Sequence, residues 1–351
     1  MKHKTRCLPY GALPYDSLDF ATRMQAKLFE HIPYLAFCPI LDSEDTILKR
    51  TFMGIPGVKI KGRKVALKTS SNSYKQKLHD LDKAYNTPNF STLDPFALES
   101  PFLEKFVQLI NKFKSEYACI NFLGPFTVSQ MLLNAAEEQT LADKSYRKLF
   151  IQAVCVKALW VIERIRSINS KTVPIIVLEE PMLAQLGTLK RETEEVNDEL
   201  VTNLLAKVVE KLKSAGALVA VQCMEKCNWQ IPINAGVDII SFDAYNNPNN
   251  LNIFPEEITA FIARGGKINW GIVPVKNESL IKSLNIDDIT KRLFATFEGL
   301  ILSGVPEAYV YNSALVSLQG NADQLSVIFA EKALMMAVQL AQRIPVKSYN
   351  T

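Results

Sequence analysis

Ala-Leu-Val-Ala-Val-Gln-Cys-Met-Glu-Lys-Cys-Asn-Trp (residues 217–229) and Ala-Gly-Val-Asp-Ile-Ile-Ser-Phe-Asp-Ala-Tyr (residues 235–245) decide how this chain is read. Each begins with an apolar run of strand length and ends in polar side chains. Gln222, Cys223 and Cys227 follow the first run, and Asp243 follows the second. Val/Ile-rich runs without polar alternation belong to strands covered on both faces, as in a parallel sheet. Parallel α/β folds carry their chemistry at the carboxyl ends of the strands. These residues are therefore candidates for the floor of a site.

Working outward, further strand-like runs occupy 5–11, 33–39, 117–123, 174–180, 267–274 and 308–313. Helical spacing of apolar residues covers 18–31, 95–113, 128–136, 142–168, 197–215, 255–264, 287–303 and 323–343. The long helix at 142–168 has room for a break. Residues 57–68 read as a hairpin turning at Lys61-Gly62-Arg63. A polar stretch at about 69–94 reads as an excursion from the body. Eight strand-like runs mostly separated by helices predict an α/β protein: a single (β/α)8 TIM barrel over residues 1–351 with an N-terminal β-hairpin insertion. No Gly-x-Gly-x-x-Gly, P-loop or fixed-period repeat argues for another architecture.

Composition narrows the function classes. Lys+Arg 40 against Asp+Glu 36 leaves +4, without a basic block interleaved with aromatics, so nucleic acid is not an expected partner. No run of 18 apolar residues and no apolar signal core predict a soluble, cytoplasmic protein away from membranes. The six cysteines are scattered through apolar runs, as suits small buried residues in a reducing compartment.

In a barrel the strand ends share one mouth. It would gather Gly11 and Ala12, Gly124 and Pro125, Glu179 and Glu180, Gln222 with Cys223, and Asp243. Adjacent residues of a strand point to opposite faces, so at most one of Glu179 and Glu180 faces the mouth. A carboxylate there can orient an amine or act as an acid or base. Cys223 and Asp243 are both possible zinc ligands. The histidines, His3, His31 and His79, lie at no strand end, which leaves Cys-His nucleophilic chemistry without a base.

Four segments, Leu123-Gly-Pro-Phe-Thr-Val128, Leu178-Glu-Glu-Pro-Met182, Ala235-Gly-Val-Asp-Ile-Ile-Ser-Phe-Asp243 and Trp270-Gly-Ile-Val-Pro274, together resemble the barrel of cobalamin-independent methionine synthase and its shorter relatives. That superfamily also holds uroporphyrinogen decarboxylase and corrinoid-protein methyltransferases. The resemblance implies a methyltransferase of methionine biosynthesis acting on a small thiol or one-carbon donor, with a folate-type methyl donor and a thiolate-activating zinc. It also implies a degenerate zinc site. Gln222 and Met224 stand at the family's His and Cys, whereas a one-residue shift puts Val221 and Cys223 there. Asp243 matches the acidic ligand, and Ser313 takes the place of the late Cys. Ala12 replaces a substrate-holding Ser, and Glu179 an amine-binding Asp. Decarboxylation would need arginines at the first strand end, where Arg6 is the nearby candidate. A catalytically degenerate, metal-free barrel that binds a small ligand or a protein is the alternative reading.

Overall fold

A computed structural model describes residues 6–62, 64–70, 73–132, 141, 143–192 and 196–348. Helices α1 (Leu18–Leu28) and α2 (Ile47–Phe52) come first, followed by the hairpin β1 (Val58–Lys61) and β2 (Lys64–Leu67). Next come α3 (Tyr74–Asn86), α4 (Phe90–Leu93) and α5 (Leu103–Phe113). Then β3 (Tyr117–Leu123), α6 (Pro125–Met131), α7 (Lys144–Ile168) and β4 (Val173–Glu179) alternate. α8 (Leu186–Glu192), α9 (Asp198–Ser214), β5 (Leu218–Gln222), α10 (Gln230–Asn234) and β6 (Ile239–Phe242) follow. The chain closes with α11 (Pro255–Ala263), β7 (Lys267–Val273), α12 (Glu278–Ser283), α13 (Ile286–Leu302), α14 (Glu307–Ser313), β8 (Ala314–Leu318) and α15 (Val327–Arg343).

Strands β3 to β8 form one parallel sheet in sequential order, β3-β4-β5-β6-β7-β8. The sheet is curled, with the large helices packed on its outer face. Their apolar stripes meet strands such as β4, where Ile175 through Leu178 are wholly buried. On that outer face an aromatic file runs from Trp229 through Phe242, Trp270 and Phe297 to Tyr311, with successive ring centroids 5.0–6.0 Å apart. Trp270 is therefore a core residue packed away from the inner face, and Tyr311, half-buried, packs against the core from the helix side.

Both edges of the sheet are met by extended backbone. Leu8 N donates to Val316 O (2.9 Å) and Val316 N to Arg6 O (2.8 Å). Leu35 N donates to Cys119 O (3.0 Å), and Cys119 N to Pro33 O (2.9 Å). These two segments also meet each other, through Leu13 N to Phe37 O (2.9 Å) and Phe37 N to Gly11 O (3.1 Å).

The runs at 5–11 and 33–39, read as strands, make only isolated bridges among the described residues, so the parallel sheet has six strands where eight were expected. Two further expectations are corrected. Residues 308–313, read as the eighth strand, lie in α14, and the strand is Ala314–Leu318. Ser313 is thus at the amino end of β8, away from the carboxyl ends. The polar excursion at 69–94 contains two helices, and α3 buries Leu81 and Ala84 against the body. The hairpin stands where it was expected. α7 is one unbroken helix of 25 residues. The helix expected at 128–136 begins at Pro125, and its later part lies outside the described residues.

Candidate functional site at the strand ends

Register partners in a parallel sheet point to the same face. Glu179 pairs with Gln222, Gln222 with Ser241, and Ser241 with Asn269. These four side chains form one polar row across β4, β5, β6 and β7 on the inner face. Strands of a parallel sheet covered on both faces usually carry apolar side chains, and a buried polar group is costly unless bonded. The row is therefore where a site belongs.

At one end Glu179 is half-buried. Its Oε1 accepts from Asn121 Nδ2 at 2.5 Å. Asn121 Oδ1 in turn accepts from Arg50 Nη1 (3.1 Å), which also donates to Leu35 O (2.8 Å). Arg50 is buried, lies 3.4 Å from the centroid of the Phe37 ring and stands 3.9 Å from Asp45. Burial raises the Glu179 pKa, and the Asn121 bond and the Arg50 charge oppose that rise. The carboxylate is thus held in place from behind, with its charge only partly compensated.

At the other end Asp243 follows β6. Its Oδ1 accepts from Asn246 N (2.9 Å), and its Oδ2 from Asn246 Nδ2 and Gln319 Nε2, both at 2.8 Å. Asn269 Nδ2 donates to Ser241 Oγ (2.8 Å) and Ser317 Oγ (2.9 Å). Tyr10 donates to Leu318 O (3.1 Å), and burial holds its phenol well above the ordinary value. Two buried amide oxygens, Gln222 Oε1 and Asn269 Oδ1, have no hydrogen-bond partner among the described residues.

Glu180, expected beside the substrate, points the other way. It is fully buried, and Oε1 accepts from Phe126 N (2.9 Å). Oε2 accepts from Thr127 N (2.7 Å) and Thr127 Oγ1 (2.6 Å). Its carboxylate satisfies the first amides of α6, which Pro125 opens. Burial raises its pKa to about 7 against these three bonds. Gly124 makes the approach possible, since a Cβ there would stand 2.3 Å from the Glu180 carboxyl. Gly11 and Ala12 do reach the strand-end region. Ala12 N donates to Asn321 Oδ1 (3.0 Å), and Ala12 O accepts from Ala322 N (3.0 Å).

The donor set does not fit a zinc ion. Cys223 is buried with Sγ directed at Glu225 O (3.6 Å). Both oxygens of Asp243 already hold amide donors. His31 lies beside Glu30 at the far end of α1, His79 is in α3, and His3 lies outside the described residues. Among the described residues no group of three or more His, Cys, Asp or Glu side chains could hold a metal ion. Burial, and then Cys223 beside it, holds the Cys227 thiol well above its ordinary range. Cys227 also lines a cavity of about 450 Å³ between the segments that follow β4, β5 and β6, with Leu183, Lys190, Asn228, Asn250 and Phe254 in its wall.

The sequence reading singled out Glu179, Gln222 and Asp243, and the structure places all three at the sheet's carboxyl ends. It missed Arg50, Asn121, Asn269, Gln319 and Asn321. A polar residue inside an apolar strand run was the available signal for Asn121 and Asn269.

No protein-family model matches the chain, and no curated protein matches it. Among solved structures, the X-ray structure of Flavobacterium johnsoniae chitobiase is similar at 9% identity and a TM-score of 0.31, covering 97% of this chain and 70% of that one. The comparisons assign the chain to no family. A likeness of that size carries no weight for fold or chemistry.

Proposed function

We propose that this chain is a methionine-synthase-like barrel whose mouth binds a small molecule bearing a protonated amine, without a resident metal. The row Glu179–Gln222–Ser241–Asn269 carries the reading. It offers acceptors: one half-buried carboxylate and two amide oxygens without donors among the described residues. A buried acceptor without a donor costs about 1–3 kcal/mol. An ammonium brings three donors and a positive charge, and so answers Glu179 and the Gln222 oxygen on the neighbouring strand, with the Asn269 oxygen left for a donor further along the ligand.

Closure of the sheet into eight strands belongs to the same proposal. The backbone bonds of residues 6–13 and 33–37 to β8, to β3 and to each other support it. A cytoplasmic location accords with six cysteines that are all free thiols.

The raised pKa of Glu179 favours a second reading, methyl transfer onto a small aminothiol from a folate-type donor. Burial brings the carboxyl closer to a thiol's pKa, so Glu179 could take the thiol proton as the sulfur attacks the methyl group. The electron pair of the breaking bond would leave on the donor nitrogen.

A thermal-shift comparison tests the main reading. L-Homocysteine, L-cysteine and L-methionine are set against their N-acetyl forms. At least one free amine should raise the melting temperature and its acetylated form should not. Equal shifts, or none, contradict the reading. Zinc at about one per chain in protein purified from zinc-replete medium would overturn its metal-free part.

A further inference from the structure

We propose that a cleft on the outside of the sheet, between α3, α7 and α9, binds a phosphate-bearing small molecule. The cleft measures about 480 Å³, within the size range of ligand sites. Asp82, Tyr85 and Asn86 of α3 form one wall. Lys144, Arg147, Lys148, Ile151 and Gln152 of α7 form the second, and Lys207 of α9 faces them.

The α7 contributors recur at three- and four-residue spacing, so they share one face of the helix. That face starts at the first turn of a 25-residue helix, where the backbone dipole favours an anion beside Lys144 and Arg147. Among the described residues, four cations and one carboxylate line the cleft, a difference of +3. The carboxylate, Asp82, is already engaged: it pairs with Lys148 at 2.6 Å and accepts from Gln152 Nε2 at 2.8 Å. Arg147 Nη1 donates to Leu141 O (2.7 Å), which fixes one edge of its guanidinium. Tyr85 and Ile151 supply half-buried and buried apolar surface for the remainder of a ligand. Lys144 and Lys207, acting as point charges, suit a multiply charged di- or triphosphate better than a single carboxylate. The cleft exists because α3 packs on α7, and it is separate from the inner polar row.

Isothermal titration of the full chain with inorganic pyrophosphate and with ATP, both without magnesium, tests this. We expect saturable one-to-one binding of at least one probe. It should weaken at least about tenfold in Lys144→Glu/Lys207→Glu, two exposed side chains whose reversal leaves the core untouched. A control reversal on the hairpin, Lys64→Glu, should leave the affinity unchanged. Tighter binding of ATP than of pyrophosphate, lost in Tyr85→Ala, would identify the ligand as a nucleotide; equal binding would identify a simple phosphate. Absence of heat with both probes, or affinity retained in the double variant, overturns the proposal.

Discussion

Gly124 and Glu180 show how one missing side chain permits another. The Glu180 carboxyl lies where a Cβ on residue 124 would be, and its oxygens hold the opening amides of α6. Gly124→Ala should therefore destabilise the protein by about 1–3 kcal/mol, the usual cost of overfilling a packed core, read from urea unfolding. The Glu180 pKa, raised from its ordinary 4.5 to about 7, means that the ionised form is disfavoured in the folded chain. That penalty is absent below about pH 4.5, where both states are protonated. It grows as pH rises and is complete above about 7. Its size is roughly 3 kcal/mol. Urea midpoints at pH 5 and pH 8 should accordingly differ more in the native chain than in Glu180→Gln. Glu179, Gln222 and Asp243 were legible because each ends an apolar run. Arg50 was not, since a six-residue helix distant in sequence from β3 brings its guanidinium to Asn121.

At the level of elements, the strands from β3 to β7 could be read from their Val/Ile runs because both faces are buried. The eighth could not. Ala-Tyr-Val-Tyr-Asn-Ser has strand-like residues, yet Pro306 precedes the first turn of a helix there, and Tyr311 packs on Phe294 and Phe297. Tertiary packing overrode propensity, and the six-residue displacement hid Gln319 as the partner of Asp243. α3 was missed for the opposite reason: it is mostly polar and rests on a narrow apolar stripe. That stripe is its anchor. Leu81→Ala should cost about 2–5 kcal/mol of stability by urea unfolding, if the site cannot collapse around the gap.

On the scale of the whole molecule, the two edges of the sheet are joined through residues 6–13 and 33–37, with Arg50 as a strut. Its guanidinium donates to Leu35 O, Ala36 O and Asn121 Oδ1, and stands near Asp45. Removing it leaves a buried carboxylate uncompensated, so Arg50→Ala should cost about 3–5 kcal/mol. Hydrogen exchange should then accelerate first at the amides of Leu35 and Cys119, which join the second segment to β3. The same strut holds Glu179, the residue on which the proposed function rests. Calorimetric titration of L-homocysteine, L-cysteine and L-methionine into the native chain and Glu179→Gln tests that function most directly. Saturable one-to-one binding of at least one of the three is expected, weakened about tenfold or more in the variant by loss of a charge-assisted hydrogen bond. No saturable heat from any of them, or affinity unchanged in Glu179→Gln, would contradict it.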